Sequence, residues 1–125
     1  MDIQIGVFFN ELPIKVFNNG KMNRDFTYID DIIAGILSSI DNNYKCEIFN
    51  LGNNKSENLM DLISLIEDKI GKKAIIDFEP MQPGDVTSTC ADISYSKEKL
   101  NYYPVTSIAD GIPKFIEWYK KYKKL

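Results

Sequence analysis

The stretch "MNRDFTYIDD", Met22–Asp31, holds the only arginine of the chain, Arg24, set beside Asp25 and run into an apolar segment. From Ile29 the apolar positions Ile29, Ile33, Ile36 and Ile40 repeat at helical spacing, flanked by Ile32 and Leu37. Asp30 and Asp31 suit the positive end of that helix, so the stretch reads as a polar lead into a first helix. Upstream, "IKVF" at 14–17 is a short strand of β-branched and aromatic residues running into the turn "NNG" at 18–20. The first twelve residues read as a short or frayed helix bearing Ile5, Phe8, Phe9 and Leu12, weakened by Gly6 and ended by Pro13.

Downstream, "CEIFNLGN" at 46–53 reads as a buried strand closed by Gly52. Ser56 or Asn58 can then cap a helix with Leu59, Leu62, Ile63, Ile66 and Ile70 on one face, stopped by Gly71. "KAIIDFEP" is a further short strand, "MQPGDV" a turn-rich loop, "TSTCADI" an extended segment and "SKEKLNY" a short helix. Beyond Pro104 a last helix places Ile108, Ile112, Phe115, Ile116, Tyr119 and Tyr122 on one side, with Ser107 and Asp110 spaced as a capping box. Pro113 predicts either a kinked first turn or a regular helix that begins only near Asp110. Helices and short strands mix without strict βαβ alternation, which predicts the α+β class.

At 125 residues the chain is one domain's worth, and its 44% apolar and 26% charged content matches folded domains rather than disorder. A net charge of −3, with lysines concentrated in "KKYKK", offers no field for a phosphate backbone, so nucleic acid is not expected as a partner. No apolar run approaches the roughly 18 residues of a membrane span, and the first residues lack a basic-then-apolar leader pattern. The expectation is a cytoplasmic protein with no membrane partner. Cys46 and Cys90 read as buried, reduced thiols, and with no histidine in the chain no metal site is expected. The absence of histidine also removes the commonest catalytic base, and no Gly-x-Gly-x-x-Gly turn seats a dinucleotide. Two Tyr-x-x-x-Lys matches, Tyr95 with Lys99 and Tyr119 with Lys123, are chance spacings in a lysine-rich chain. No catalytic residue is assigned.

Taken together, "PIKVFNNGKMNRDFTYIDDIIAGI", "IFNLGN", "MQPGDVTSTCADIS" and "SIADGIPKFIEWYKKY" resemble the C-terminal part of an extended short-chain dehydrogenase/reductase of the nucleotide-sugar epimerase type. Within it they are most similar to UDP-glucuronate 4-epimerases, from about Pro13 to Tyr122. The resemblance implies that residues 1–125 form a C-terminal nucleotide-sugar-binding domain, a small helical and short-strand substrate domain without the Rossmann domain. The nicotinamide site and the catalytic Tyr-x-x-x-Lys would belong to a missing N-terminal half. It therefore implies no cofactor in this chain and NAD in the other half.

Residue by residue, Arg24 matches the arginine that approaches the substrate diphosphate, for which a planar guanidinium is the fitting donor. The rival reading is a surface ion pair with Asp25 or a neighbour. Asp85 matches an aspartate that accepts from ribose hydroxyls, with Gly84 letting the backbone approach; the rival is an ordinary turn residue. Val16 and Phe17 match positions lining uracil, against a rival role in the strand core. Gln82 stands where many relatives place a second arginine, and Thr89 where several carry a tyrosine near the sugar. "NLGN" and the helix around Trp118 read as packing features. Two functional expectations follow: a UDP-sugar-binding half that binds weakly alone and is completed by a Rossmann-domain half, or a non-catalytic module that self-associates through an exposed apolar face.

Overall fold

Leu59, Leu62, Ile63 and Ile66 fall on one face of a twelve-residue helix, and burying that stripe organises the larger of two cores. The computed structural model describes residues 5–125. In chain order the elements are α1 (Ile5–Phe9), β1 (Ile14–Phe17), a 3₁₀ turn (Asn18–Gly20), β2 (Asn23–Asp25), α2 (Ile29–Asn42), β3 (Ser56–Asn58), α3 (Leu59–Ile70), β4 (Ile76–Glu79), α4 (Ser94–Leu100) and α5 (Ile108–Lys123). β1 pairs in parallel with β4, Ile14 against Ile76, and β2 pairs antiparallel with β3, Arg24 against Glu57. The α+β expectation holds.

Around α3 pack Ile5 and Phe8 of α1, Ile14 and Val16 of β1, Met22, and the fully buried Ile116 of α5. Asn58 caps α3, its side-chain oxygen accepting from the Met60 amide at 2.8 Å, and Gly71 closes it at φ +79°. A second, smaller core gathers Ile93, Leu100 and Tyr102 with Phe49, Leu51 and Ala91.

Several sequence expectations are corrected. The helix read from Ile29 is present as α2; the side it turns to the protein is Asp31 and Gly35, while Ile29, Ile33, Ile36, Leu37 and Ile40 are exposed, Ile40 by 64%. A side chain at Gly35 would meet Leu51 at 2.6 Å and Tyr102 at 2.9 Å, so the close approach of α2 to the second core requires glycine there. Residues 46–53 are not a buried strand. They pair with no strand among the described residues; Phe49 and Leu51 lean on the second core while Ile48 between them is 88% exposed. Both cysteines are exposed free thiols, because the segments that carry them run over the surface.

α5 is helical from Ile108 through Pro113. Ser107 caps it, accepting from the Asp110 amide at 3.2 Å, and the held first turn tolerates the proline's missing donor. Of the residues read as one apolar side, Ile116 is buried, Ile108, Ile112 and Tyr119 are half-buried, and Phe115 and Tyr122 are exposed. Of the first helix only Ile5–Phe9 is helical; Leu12 lies beyond it and is exposed, and residues 1–4 of that expectation lie outside the described residues.

Two outcomes follow. Ile116→Ala empties the centre of the main core and costs about 2–5 kcal/mol by urea unfolding. The Glu67 carboxylate takes Lys73 at 2.6 Å and the Ala74 amide at 2.8 Å, and these bonds hold its pKa below the ordinary 4.5. A carboxylate lowered in the folded state contributes stability above its unfolded pKa and loses it as pH falls below it. Wild type is therefore more stable than Glu67→Gln at neutral pH, and the gap closes as unfolding is measured below about pH 4.5.

Candidate functional site

Successive residues of a strand point to opposite sides, and β2 uses this to send Arg24 one way and Asp25 the other. One edge of β2 carries β3; along the other runs the segment after Asp85, with the Asn23 amide donating to the Thr87 carbonyl at 2.9 Å and the Thr89 amide to the Asn23 carbonyl at 3.2 Å. The Thr89 hydroxyl accepts from the Asp25 amide at 3.1 Å. This zipper carries the "QPGDV" turn, Gln82–Val86, onto Arg24. Gly84 supplies the turn's positive φ of +83°, and nothing lies within 4 Å of where its side chain would be, so backbone conformation rather than close approach calls for glycine.

Arg24 Nη2 donates to Asp85 Oδ1 at 2.9 Å, and Nη1 to the Asn23 carbonyl at 2.9 Å. Their side chains are 13% and 29% exposed, enough for a ligand to reach the pair. Asp85 Oδ1 also takes the Val86 amide at 2.8 Å. Both described bonds to Asp85 end on Oδ1, and Oδ2 takes no donor among the described residues. The surface-pair reading of Arg24 is right about an ion pair but not about Asp25, which is fully engaged elsewhere.

Asp25 accepts from the Asn53 amide at 2.8 Å, the Asn54 amide at 3.0 Å and the Ala91 amide at 2.9 Å. One carboxylate thus pins two loops to the back of β2. Asp31, the last residue of the opening stretch, is buried and takes the Val105 and Thr106 amides at 3.2 and 3.0 Å, fixing the lead into α5. The sequence reading missed both roles. Short carboxylates flanking an arginine at a strand end carry the signal, since aspartate satisfies loop amides well.

The remaining candidates are spread unevenly. Val16 has its side chain in the main core, so the strand-core reading describes it and only its backbone can face a ligand. Phe17 ends β1 opposite Glu79 and is half-buried. Gln82 is exposed, its carbonyl accepting from the Asp85 amide at 3.2 Å. The tyrosines of the two Tyr-x-x-x-Lys matches are engaged with other side chains. The Tyr95 hydroxyl donates to Glu47 at 3.0 Å, which pushes its pKa up, opposite to what a proton-transfer tyrosine needs, and Tyr119 stacks on Phe9 at 5.6 Å. Beside the opening stretch lies an open cavity of about 300 Å³ walled by Phe26, Tyr28, Ile29, Leu62, Ile108 and Phe115. Arg24 and Asp85 are outside its lining, so the charged pair and the apolar cavity are separate features.

Comparison with known proteins agrees with the motifs. Residues 4–52 match the NAD dependent epimerase/dehydratase family. The chain is 48% identical over 110 residues to an uncharacterized protein of Methanocaldococcus jannaschii, covering 88% of this chain and 34% of that protein. It is 40% identical over 114 residues to a UDP-glucuronate 4-epimerase of Thermodesulfobacterium geofontis, covering 90% and 35%. Among solved structures it superposes on UDP-glucuronic acid 4-epimerase from Bacillus cereus in complex with UDP-glucuronic acid and NAD, with a TM-score of 0.83 and 33% identity, over 94% of this chain and 38% of that one. The fold matches a segment of the epimerase fold. The chain is similar to members of the NAD dependent epimerase/dehydratase family and spans about a third of the length of the curated relatives it matches.

Removing the Asp25 carboxylate strands three amides. Asp25→Ala is expected to lower stability by about 3 kcal/mol in urea unfolding. Asp25→Asn recovers only part, because one of its two side-chain heads would be a donor facing a donor.

Proposed function

We propose that this chain is the UDP-sugar-binding portion of an NAD-dependent 4-epimerase, with a UDP-glucuronate-like substrate, and that it completes an active site only with a nicotinamide-binding domain. The observation that carries this is the Arg24–Asp85 pair. Arg24 commits two of its five donors to described partners, which leaves others to reach phosphate oxygens, and Asp85 keeps Oδ2 open for ribose hydroxyls. Gln82 leaves the diphosphate with one cation rather than two. Phe17 and the backbone at Val16 offer a flat face and polar edge to uracil, and Thr89, committed to the Asp25 amide, leaves the sugar side roomy.

The described residues do not fit NAD. The helices of eight or more residues are preceded by Tyr28, Asn58 and Ser107, not by the glycine-rich turn that lets a pyrophosphate approach a helix end. In this reading the cofactor, its hydride chemistry and the catalytic base belong to the other domain, while this chain binds and orients. The exposed isoleucines of α2 and the unpaired segment 46–53 supply the apolar face and free backbone edge such a domain would cover. That same exposed face favours a second reading, in which copies of the chain associate through α2.

With one wall of the cleft, UDP binds with a Kd in the high micromolar to millimolar range. Amide NMR titration with UDP and with UDP-glucuronate is expected to give saturable shifts at Phe17, Arg24 and Asp85, and Arg24→Ala weakens binding about tenfold or more. A well-folded sample with no shifts at millimolar ligand overturns the nucleotide reading. Sedimentation equilibrium of wild type and Ile36→Glu tests the other: a mass that rises with concentration and is reset by the substitution assigns α2 to self-association.

A further inference from the structure

α5 has a second amphipathic side that the fold does not use. Its inward side is Ile112, Ile116 and Tyr119; its outward side carries Trp118 and Tyr122, spaced by four residues, with Phe115 at the edge. Trp118 is 55% and Tyr122 66% exposed. Their rings stack at 5.3 Å and 10°, and Phe115 joins Trp118 at 5.7 Å, so the outward side is a continuous aromatic ridge.

Lysines flank the ridge. Lys114 and Lys121 lie on the same side by helical spacing and both are exposed, as are Lys123 and Lys124. From Lys114 to Lys124 there are five lysines and a single acid, Glu117, and that acid is neutralised by Lys69 at 2.7 Å. The whole chain carries −3, so the rest of the molecule is distinctly acidic and α5 is its positive pole.

We propose that the outward face of α5 docks on an anionic lipid surface. Tryptophan and tyrosine beside lysine is the composition of a helix lying in the headgroup layer, with rings reaching the acyl boundary and ammonium groups among the phosphates. The acidic remainder is repelled by the same surface, which leaves this face as the one that can approach. A second copy is a poorer occupant, because a two-fold contact through this face would set Lys114 and Lys121 against their own counterparts. The expectation of no membrane partner rested on the absence of a spanning run, and among the described residues no helix is long and apolar enough to cross. Lying in the interface needs only one face.

Trp118 is the only tryptophan, so its emission reports on this face directly. The full chain is titrated with phosphatidylcholine vesicles with and without about 30% phosphatidylglycerol. The expected result is a blue shift and co-sedimentation with the anionic vesicles alone, reversed by about 0.5 M salt. Lys114→Glu with Lys121→Glu, both at exposed positions and checked for unchanged circular dichroism, weakens vesicle binding about tenfold or more. Emission that no vesicle moves overturns the proposal, as does a shift equal on both vesicles and indifferent to salt. A blue shift that grows with protein concentration in buffer alone also overturns it and gives the face to a second copy.

Discussion

A single carboxylate, that of Asp25, decides how this chain is put together. Its three backbone donors come from two loops that are remote in sequence, around Asn53 and at Ala91, and the ionised acceptor makes each bond stronger than a neutral one. With those loops anchored behind β2, the strand's next side chain forward, Arg24, is presented on the opposite side, where the Gln82–Val86 turn meets it. The structural aspartate and the exposed guanidinium are consecutive residues because a strand alternates faces. The candidate site is thus a by-product of the anchoring that holds the loops.

Much of this was legible. The period of α3, its Asn58 cap and Gly71 stop, the strands at 14–17 and 76–79 and the turns are dictated locally, by side-chain spacing and by φ. What was not legible is what each apolar face meets. Ile29 to Ile40 gave a correct helix but not its orientation, because periodicity locates a stripe without naming its partner, and α2 turns Asp31 and Gly35 inward. The segment at 46–53 has strand composition, but a strand needs a neighbour and none of the described residues supplies one. In the site, the family resemblance pointed to Arg24 and Asp85 separately; that they bond to one another, 61 positions apart, is a fact of tertiary structure.

The charge distribution follows the same division. Arginine occurs once, where a fixed planar fork is held by a carboxylate and a carbonyl, while the lysines lie on the surface, where a mobile point charge is sufficient. The acids that matter to the fold, Asp25 and Asp31, bind backbone amides and no lysine, so salt that weakens the surface ion pairs leaves the loop anchors largely intact.

The pairing of β1 with β4 and of β2 with β3 has a kinetic meaning. Ile14 waits for Ile76, Arg24 for Glu57, and then for Asp85, so every strand contact closes a long loop before it returns any stabilisation. α3, whose contacts are local, can form early; the charged pair comes together only when the last loop is zipped onto β2. A ribosome that has released the chain only as far as Glu79 has made both sheets' strands and no site, and until the remaining residues emerge, Arg24 is a cation in search of its acid.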